Sequence, residues 1–170
     1  YDVVGKFREG YTGSWGALET YNDESNHAGF SQVALVGNGD AIIYWREEVG
    51  TFVPNEAENQ TGELMVRYRN NDGSLEDAKS VSPEGEDSFN ASQEINKPRI
   101  VFHDGKAAIT WWGVSNGRNV IYASVMNEKN TWVRTQLTAS GKSAILPSIS
   151  IDSNAERLGV SWQRTDGLHY

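Results

Sequence analysis

One segment of the sequence recurs along the chain, and its pattern predicts short β-strands joined by turns. The segment Pro98–Trp132 contains four apolar or aromatic runs, at Ile100–Phe102, Ala107–Trp112, Val120–Val125 and from Trp132 onward. Asp104-Gly105 suits a tight hairpin between the first two runs, because glycine adopts positive φ without steric cost. The second run is apolar at consecutive positions, which is typical of a strand covered on both faces. Gly113–Asn119 is polar and glycine-rich, and we expect a loop there.

The same pattern occurs before and after this segment. Its first two slots are filled earlier by Ser31–Val36 and Ala41–Trp45, and later by Pro147–Asp152 and Leu158–Trp162. One strand position is therefore predicted to hold Trp45, Trp111 and Trp162. A second position is predicted to hold Trp15, Leu75 and Trp132. The repeating unit is roughly fifty residues with four strands, the size and content of a β-propeller blade.

We therefore predict an all-β fold made of four-stranded antiparallel blades, with about three blade-equivalents in one domain over residues 1–170. The predicted blades span residues 1–30 (outer strands), 31–97, 98–146 and 147–170 (inner strands). Connections differ in length between repeats, as expected of surface loops. Little in the sequence signals a helix, apart from one possible turn at Pro54–Gln60.

The two ends of the sequence read as complementary parts of one blade. Val3–Phe7 resembles a third strand, and the chain continues past Trp162 only to the start of a third strand. If the ends were joined, 23 residues would separate Trp162 from Trp15, against 21 between Trp111 and Trp132. We expect Val3–Phe7 to pair with a strand from Leu158–Tyr170, in the same chain, a second copy or a continuation of the native protein.

Composition narrows the classes of partner. The net charge is −8 and the sequence has no basic cluster, which argues against nucleic acid and anionic membranes as partners. No stretch approaches the length of a membrane span. The absence of cysteine excludes disulfides and thiol chemistry.

The pattern of Pro98–Trp132, P-x-I-x-x-(D/N)-G-x-A-x-x-x-W followed by V-I-Y and W, resembles the repeats of sialidase-like and related bacterial extracytoplasmic β-propellers. The resemblance covers nearly the whole chain and implies a propeller fold and an extracellular, cell-surface or periplasmic location. Sialidase-type blades often carry an Asp box, Ser-x-Asp-x-Gly-x-x-Trp. Its Ser, Asp and Gly slots before Trp132 hold Val125, Asn127 and Lys129, so the box is degenerate here.

Polar residues that follow the second strand of each unit are the candidate ligand site. In a propeller these loops converge at one end of the ring, and an arginine there can clamp a carboxylate. The candidates are Arg46, Glu47, Trp112, Arg118, Gln163 and Arg164, within the segments Arg46–Glu48, Trp112–Arg118 and Gln163–Asp166. The alternative is that these are solvated loop charges. Trp112 has no aromatic counterpart in the other units, and it either contacts the ligand or packs into the neighbouring blade.

Metal and catalytic sites are less well supported by the sequence. His27, His103 and His169 share no metal-ligand spacing, and we expect no cofactor. The segments Asn22–Glu24 and Asn70–Gly73 offer oxygens to Ca²⁺, although they also read as turns. Two sequons, at Asn59 and Asn90, lie in the long loops.

Three classes of function remain open at this stage. The first is a non-catalytic ligand-binding propeller that recognises carbohydrate or a cell-surface partner. The second is a sialidase-like glycoside hydrolase, for which Arg46, Arg118 and Arg164 are the available arginines. The third is a structural or adhesive repeat protein. We also expect a homo-oligomer as one way to complete the ring.

Overall fold

The described residues of the computed structural model form an all-β structure without helices. They are residues 2–10, 12–22, 28–36, 38–48, 62–82, 98–116, 118–139, 142–154 and 156–165. The all-β prediction is therefore confirmed for this part of the chain. The possible turn at Pro54–Gln60 and the sequons at Asn59 and Asn90 lie outside it.

The strands form four antiparallel sheets in chain order. The first sheet holds β1 (Val4–Gly5) and β2 (Glu19–Thr20), and the fourth holds β11 (Ala144–Ile151) and β12 (Leu158–Arg164). The second sheet is a four-stranded meander of β3 (Ala28–Val36), β4 (Asp40–Glu48), β5 (Gly62–Arg69) and β6 (Lys79–Ser80). The third is a second such meander, made of β7 (Arg99–His103), β8 (Lys106–Ser115), β9 (Arg118–Glu128) and β10 (Thr131–Gln136).

Tight turns join the strands where the sequence carries Asn-Gly or Asp-Gly. Asp104 and Gly105 both have positive φ and lie between the paired residues His103 and Lys106, as a two-residue hairpin turn of the primed type requires. Asn38 and Gly39, in the connection between β3 and β4, also have positive φ. The loop expected over Gly113–Asn119 is wrong. Gly113 pairs with Val120 and the ladder continues to Ser115 and Arg118, so the strands extend through most of this segment and Asn116 (φ 51°) lies in the connection between them.

The internal repeat is visible in the hydrogen bonds that end each unit. In the third sheet the backbone N–H of Leu137 donates to Ile121 O (2.8 Å), and Ile121 N–H donates to Thr138 Oγ1 (3.1 Å). The same pair of bonds joins Val81 and Ser82 to Leu64, and Tyr21 and Asn22 to Val3. Val3, Leu64 and Ile121 are therefore one repeated position, and the prediction that β1 is a third strand agrees with this.

The pairs that follow each repeated position keep the same register. Five residues after the repeated position, the chain forms the pairs Arg8–Trp15, Arg69–Leu75 and Met126–Trp132. Trp15, Leu75 and Trp132 thus occupy equivalent positions, as their spacing predicted.

The four sheets stack face to face in chain order, and an apolar cluster lies between each sheet and the next. Between the first and second sheets the buried residues are Val3, Tyr21, Ala28, Ala41, Ile43 and Trp45. The largest cluster joins the second and third sheets and includes Ile42, Tyr44, Leu64, Val66, Ile109, Trp111 and Tyr122. Trp112, Ile121 and Ala144 form the third cluster, with Ile145 and Val160 packed against it. Burial of these faces supplies the main stabilising term of the fold.

The repeated tryptophans each face the preceding sheet, but they are not equally covered. Trp45 and Trp111 are fully buried core residues. Trp162 retains 37% of its surface exposed, because no described strand pairs with β12 on the side away from β11. Trp162 is therefore less covered than its two counterparts.

A bidentate ion pair joins the first and second sheets. Arg69 Nε and Nη2 donate to the two carboxylate oxygens of Glu19, both at 2.7 Å, and Tyr21 Oη donates to Glu19 Oε2 at 3.1 Å. The guanidinium carbon also lies 4.1 Å above the centroid of the Phe7 ring. Hydrogen bonding to Arg69 lowers the pKa of Glu19 below its ordinary value.

We predict that this ion pair makes stability sensitive to acid. A carboxyl whose folded-state pKa is depressed stabilises the fold fully above its unfolded-state pKa of about 4.3, and that contribution is lost as the pH falls through the lower folded-state pKa. Arg69→Met, which places at this position the residue found at Met126, should reduce the free energy of unfolding at pH 7 by about 1–3 kcal/mol. The same variant should also make the free energy of unfolding depend less on pH below about pH 4.3. Urea denaturation from pH 2.5 to 7 measures both effects.

Glu19→Gln is the matched variant for this test, since it removes the titrating carboxyl itself, whereas Arg69→Met removes the partner that lowers the pKa of that carboxyl. Acid sensitivity from Asp72, Glu76 and Asp152, whose pKa values are also lowered, should persist in both variants. A wild-type pH profile in Arg69→Met would show that the pair contributes nothing to acid sensitivity.

Candidate functional site

The predicted ligand residues lie at one end of the sheet stack. Arg46 pairs with Gly29 near the start of β3, and Arg164 pairs with Ala144 at the start of β11. The side chain of Ala144 packs in one cluster with Trp112, three residues before the end of β8. This end of the third sheet therefore adjoins the same end of the fourth.

The second and third sheets are also joined at this end. Tyr44 Oη donates to the carbonyl oxygen of Pro98 at 2.6 Å, just before β7 begins. Pro98 precedes Arg99, which pairs with Thr110 in the middle of β8, so the antiparallel chain enters β7 from the side toward which β8 runs to its end. The terminal residues of β4, β8 and β12 consequently share one end of the stack, which we call the polar end.

Arg46 is buried rather than presented to solvent. Only 2% of its surface is exposed, and its guanidinium lies over Gly62, where an added Cβ would come within 2.7 Å of Arg46 Cζ. A buried guanidinium in this position supports the packing between the second and third sheets. The expectation that Arg46 meets a ligand directly is therefore not supported by its placement.

Glu47 is half-buried and holds a fixed orientation. Its Oε2 accepts a hydrogen bond from Trp45 Nε1 at 2.9 Å, which ties the carboxylate to the core tryptophan of the same strand. The backbone of Glu48 pairs with Gly62, and its side chain lies outside the described set.

Trp112 belongs to the core and not to the surface of the site. It is 6% exposed and packs with Ile121 and Ala144 between the third and fourth sheets. Of the two alternatives for this residue, the structure shows packing into the neighbouring sheet. The physical reason is alternation along β8: Trp111 faces the second sheet, so Trp112 must face the fourth.

Three of the predicted residues are exposed at the polar end. Arg118 begins β9 opposite Ser115, and Gln163 and Arg164 end β12 opposite Ile145 and Ala144. The backbone N–H of Thr165 donates to Ser143 O at 3.0 Å, which fixes the chain where it leaves β12. Asp166 lies outside the described residues. The exposed part of the candidate site thus consists of Arg118, Gln163 and Arg164, with Glu47 half-buried in the second sheet.

The structure also reports on the candidate calcium segments. Asp72 Oδ1 accepts hydrogen bonds from the backbone N–H and hydroxyl of Ser74 at 2.8 and 2.6 Å, as in an Asx-type turn. Asn22 caps the backbone of Val3, and Asp23 and Glu24 are outside the described residues. Within the described ranges, no group of three or more His, Asp or Glu side chains is placed to hold a metal.

Two apolar clefts were missed by the sequence reading. One, of about 370 Å³, lies beside β1 and against β3, and is lined by residues that include Val4, Phe7, Val33 and Leu35. The other, of about 310 Å³, lies between β12 and the strands β9 and β10 of the third sheet, and is lined by Val125, Leu158 and Trp162 among others. The sequence did contain a signal for the first cleft. Val33 and Leu35 are equivalent in the repeat to Ile100 and Phe102, which pack against the core cluster.

No protein-family model, curated protein sequence or solved structure matches this chain. No helix among the described residues has the length and apolarity needed to cross a bilayer. The proposals below are therefore based on the geometry of this chain and on the resemblance of its repeats.

Proposed function

We propose that this chain is part of a non-catalytic, ligand-binding β-propeller that recognises an acidic carbohydrate or a cell-surface partner outside the cytoplasm. The observation that carries the proposal is the placement of Arg118 and Arg164 on the same end of adjacent sheets, both exposed. The face-to-face stacking of repeated four-stranded sheets supports the assignment of a propeller.

Arginine is suited to this role because its planar guanidinium can hold a carboxylate or sulfate through two parallel hydrogen bonds. Gln163, next to Arg164, adds an amide that can both donate to and accept from sugar hydroxyls. Ends of strands in neighbouring sheets provide a rigid base for such contacts, since their backbones are held by ladders. Propellers can bind ligands at this position without any catalytic group.

We predict that Arg118→Ala and Arg164→Ala each weaken binding to an acidic glycan roughly ten-fold or more, because a charge-assisted contact contributes about 1.5–3 kcal/mol. A glycan array identifies the ligand, and titration calorimetry then measures the variants. Arg157→Ala is the matched control, since Arg157 is exposed at the opposite end of β12.

Assays of turnover on a fluorogenic sialoside separate the alternatives. Binding without turnover supports the proposal, and turnover would favour a sialidase-like hydrolase. The absence of both would leave a structural or adhesive repeat. Equal losses of affinity in Arg118→Ala and Arg157→Ala would contradict the assignment of the polar end.

A further inference from the structure

Most of the exposed large apolar side chains occupy positions that are buried or partly buried elsewhere in the repeat. Among the described residues, eight of the nine such side chains lie in two patches. The front patch consists of Val4, Trp15, Leu18, Val33 and Leu35, and the back patch consists of Val133, Leu158 and Trp162, with the half-buried Val125 beside them. Monomeric soluble proteins rarely leave contiguous apolar surface of this kind uncovered.

The front patch is exposed because the sheet that faces it is incomplete. Val33 and Leu35 are 54% and 69% exposed, whereas their counterparts Ile100 and Phe102 pack against the second sheet. In the first sheet the described residues provide only β1 and β2, which correspond to outer strands. The missing cover over Val33 and Leu35 therefore has the position of an inner two-stranded hairpin.

Residues of the first sheet itself complete the front patch. Val4, Trp15 and Leu18 correspond by register to Met65, Leu75 and Ala78, which all pack against the first sheet. In the third sheet the counterparts of Val4 and Trp15 are Tyr122 and Trp132, and both contact the cluster shared with the second sheet. The exposed side of the first sheet is thus built to pack against a preceding sheet.

The back patch shows the opposite deficit. Val125 and Val133 lie on the side of the third sheet that faces the fourth, at its outer half. The fourth sheet covers the inner half with β11 and β12, which correspond to inner strands. The missing cover has the position of an outer two-stranded unit, and β1–β2 is such a unit.

We propose that a second copy of this chain fills both deficits, so that β11, β12 and the partner copy's β1 and β2 form one four-stranded sheet. In that sheet Val4, Trp15 and Leu18 of one copy would cover Val125 and Val133 of the other. The small residues Gly159 and Ser161 of β12 would face Val33 and Leu35. Both patches are buried by this single arrangement, and the free edges of β1 and β12 become paired.

The register of the joined sheet follows from the two complete sheets. In the second sheet Ala41 pairs with Arg69, and in the third sheet Ala107 pairs with Met126. Leu158 is equivalent to the two alanines, and Arg8 is equivalent to Arg69 and Met126. Likewise, Trp45 pairs with Met65 and Trp111 pairs with Tyr122. Trp162 is equivalent to the two tryptophans, and Val4 is equivalent to Met65 and Tyr122. We therefore expect Leu158 to pair with Arg8 of the second copy, and Trp162 with Val4.

Two copies are the number that closes a ring. Each chain contributes two complete sheets and two half-sheets, and two chains then make six, within the range of about four to eight that propellers adopt. Such a head-to-tail contact forms a closed assembly when its rotation closes. A dimer with two identical contacts satisfies this, and it leaves no open sheet edge at β1 or β12.

Single-cysteine variants test the proposed pairing directly, because the chain has no cysteine of its own. Arg8→Cys and Leu158→Cys chains, mixed and mildly oxidised, should form a disulfide-linked heterodimer, since directly paired strands place Cα atoms about 4.5–5.5 Å apart. Arg8→Cys mixed with Arg164→Cys is the off-register control and should not cross-link. A chain that carries both Arg8→Cys and Leu158→Cys gives the opposite outcome a clear form. If it forms the disulfide only within itself, the two ends of one chain pair with each other and the proposal is overturned.

Sedimentation equilibrium of the 170-residue chain gives the second readout. We expect twice the 18.8 kDa chain mass at micromolar concentration. Leu35→Asp should raise the dimer dissociation constant at least about ten-fold, because docking would bury an unpaired carboxylate. Phe30→Asp is the control, since Phe30 is the ninth exposed apolar residue and lines neither cleft. A folded monomer, together with no cross-link between the Arg8→Cys and Leu158→Cys chains, would overturn the proposal. A neighbouring repeat of another chain segment would then be the candidate to bury the two patches.

Discussion

Replacing Trp111 by alanine should reduce the free energy of unfolding by about 3–5 kcal/mol. Trp111 is fully buried between the second and third sheets and stacks on Tyr122 with ring centroids 5.6 Å apart. Removing the indole opens a cavity in the largest cluster of the fold, and the backbone ladders on both sides of β8 limit how far it can collapse. Because domains of this size are stable by only about 5–15 kcal/mol, the variant should lose a large part of its stability. Urea denaturation followed by circular dichroism measures the loss.

Two further substitutions make this prediction specific. Trp111→Phe keeps most of the apolar area and removes an indole N–H that has no hydrogen-bond partner among the described residues, so it should cost much less than alanine. Trp162→Ala, at the equivalent but half-exposed position, should also cost less. It is best measured in the Leu35→Asp background, where the proposed dimer is weakened. Equal losses for Trp111→Ala and Trp162→Ala would show that burial does not decide the effect.

The strands of this fold could be predicted from sequence because their signals are local. Consecutive apolar residues in Ala107–Trp112 indicate a strand covered on both faces, and Asp104-Gly105 marks the turn before it. The equivalence of Trp15, Leu75 and Trp132 followed from spacing alone. The strand and turn signals depend on a few neighbouring residues, and the equivalence depends only on the repeat of the sequence, so neither requires knowledge of how the sheets pack.

The full length of the hairpin between β8 and β9 was not predicted, because the residues at its strand ends are mostly polar. Val114 and Ser115 pair with Asn119 and Arg118, although the sequence Gly113–Asn119 has the composition of a loop. The buried parts of β8 and β9 hold the two strands together, and their backbone hydrogen bonds continue from there. The ladder therefore extends into residues whose side chains are typical of a loop. Composition therefore placed the turn too broadly, and the true turn includes Asn116.

The burial of the candidate site residues also depended on information that is not local. Whether Arg46 and Trp112 face solvent or a neighbouring sheet is decided by which sheets stack on the second and third. The two exposed patches have the same origin, since Val33 and Ile100 carry the same signal in sequence and differ only in what covers them. A sequence repeat defines the position, and the neighbouring sheet defines the environment.

Trp112→Ala should destabilise the protein about as much as Trp111→Ala, by about 3–5 kcal/mol, and should leave ligand affinity of the folded protein unchanged. The side chain is buried against Ile121 and Ala144, so its removal leaves a cavity between the third and fourth sheets. Arg118→Ala should show the reverse, with weaker binding and a stability change within about 0.5 kcal/mol, because Arg118 is exposed at the end of the hairpin.

Thermal melts and glycan titrations of the two variants, made under the same conditions, separate stability from binding. Trp112→Phe should recover most of the lost stability, because the phenyl ring refills much of the same space. If Trp112→Ala instead kept the wild-type melting temperature and lost affinity, the indole would contact the ligand and the packing between the third and fourth sheets would not depend on it. The expected result assigns recognition to the exposed residues of the polar end and leaves both adjacent tryptophans to hold the sheets together.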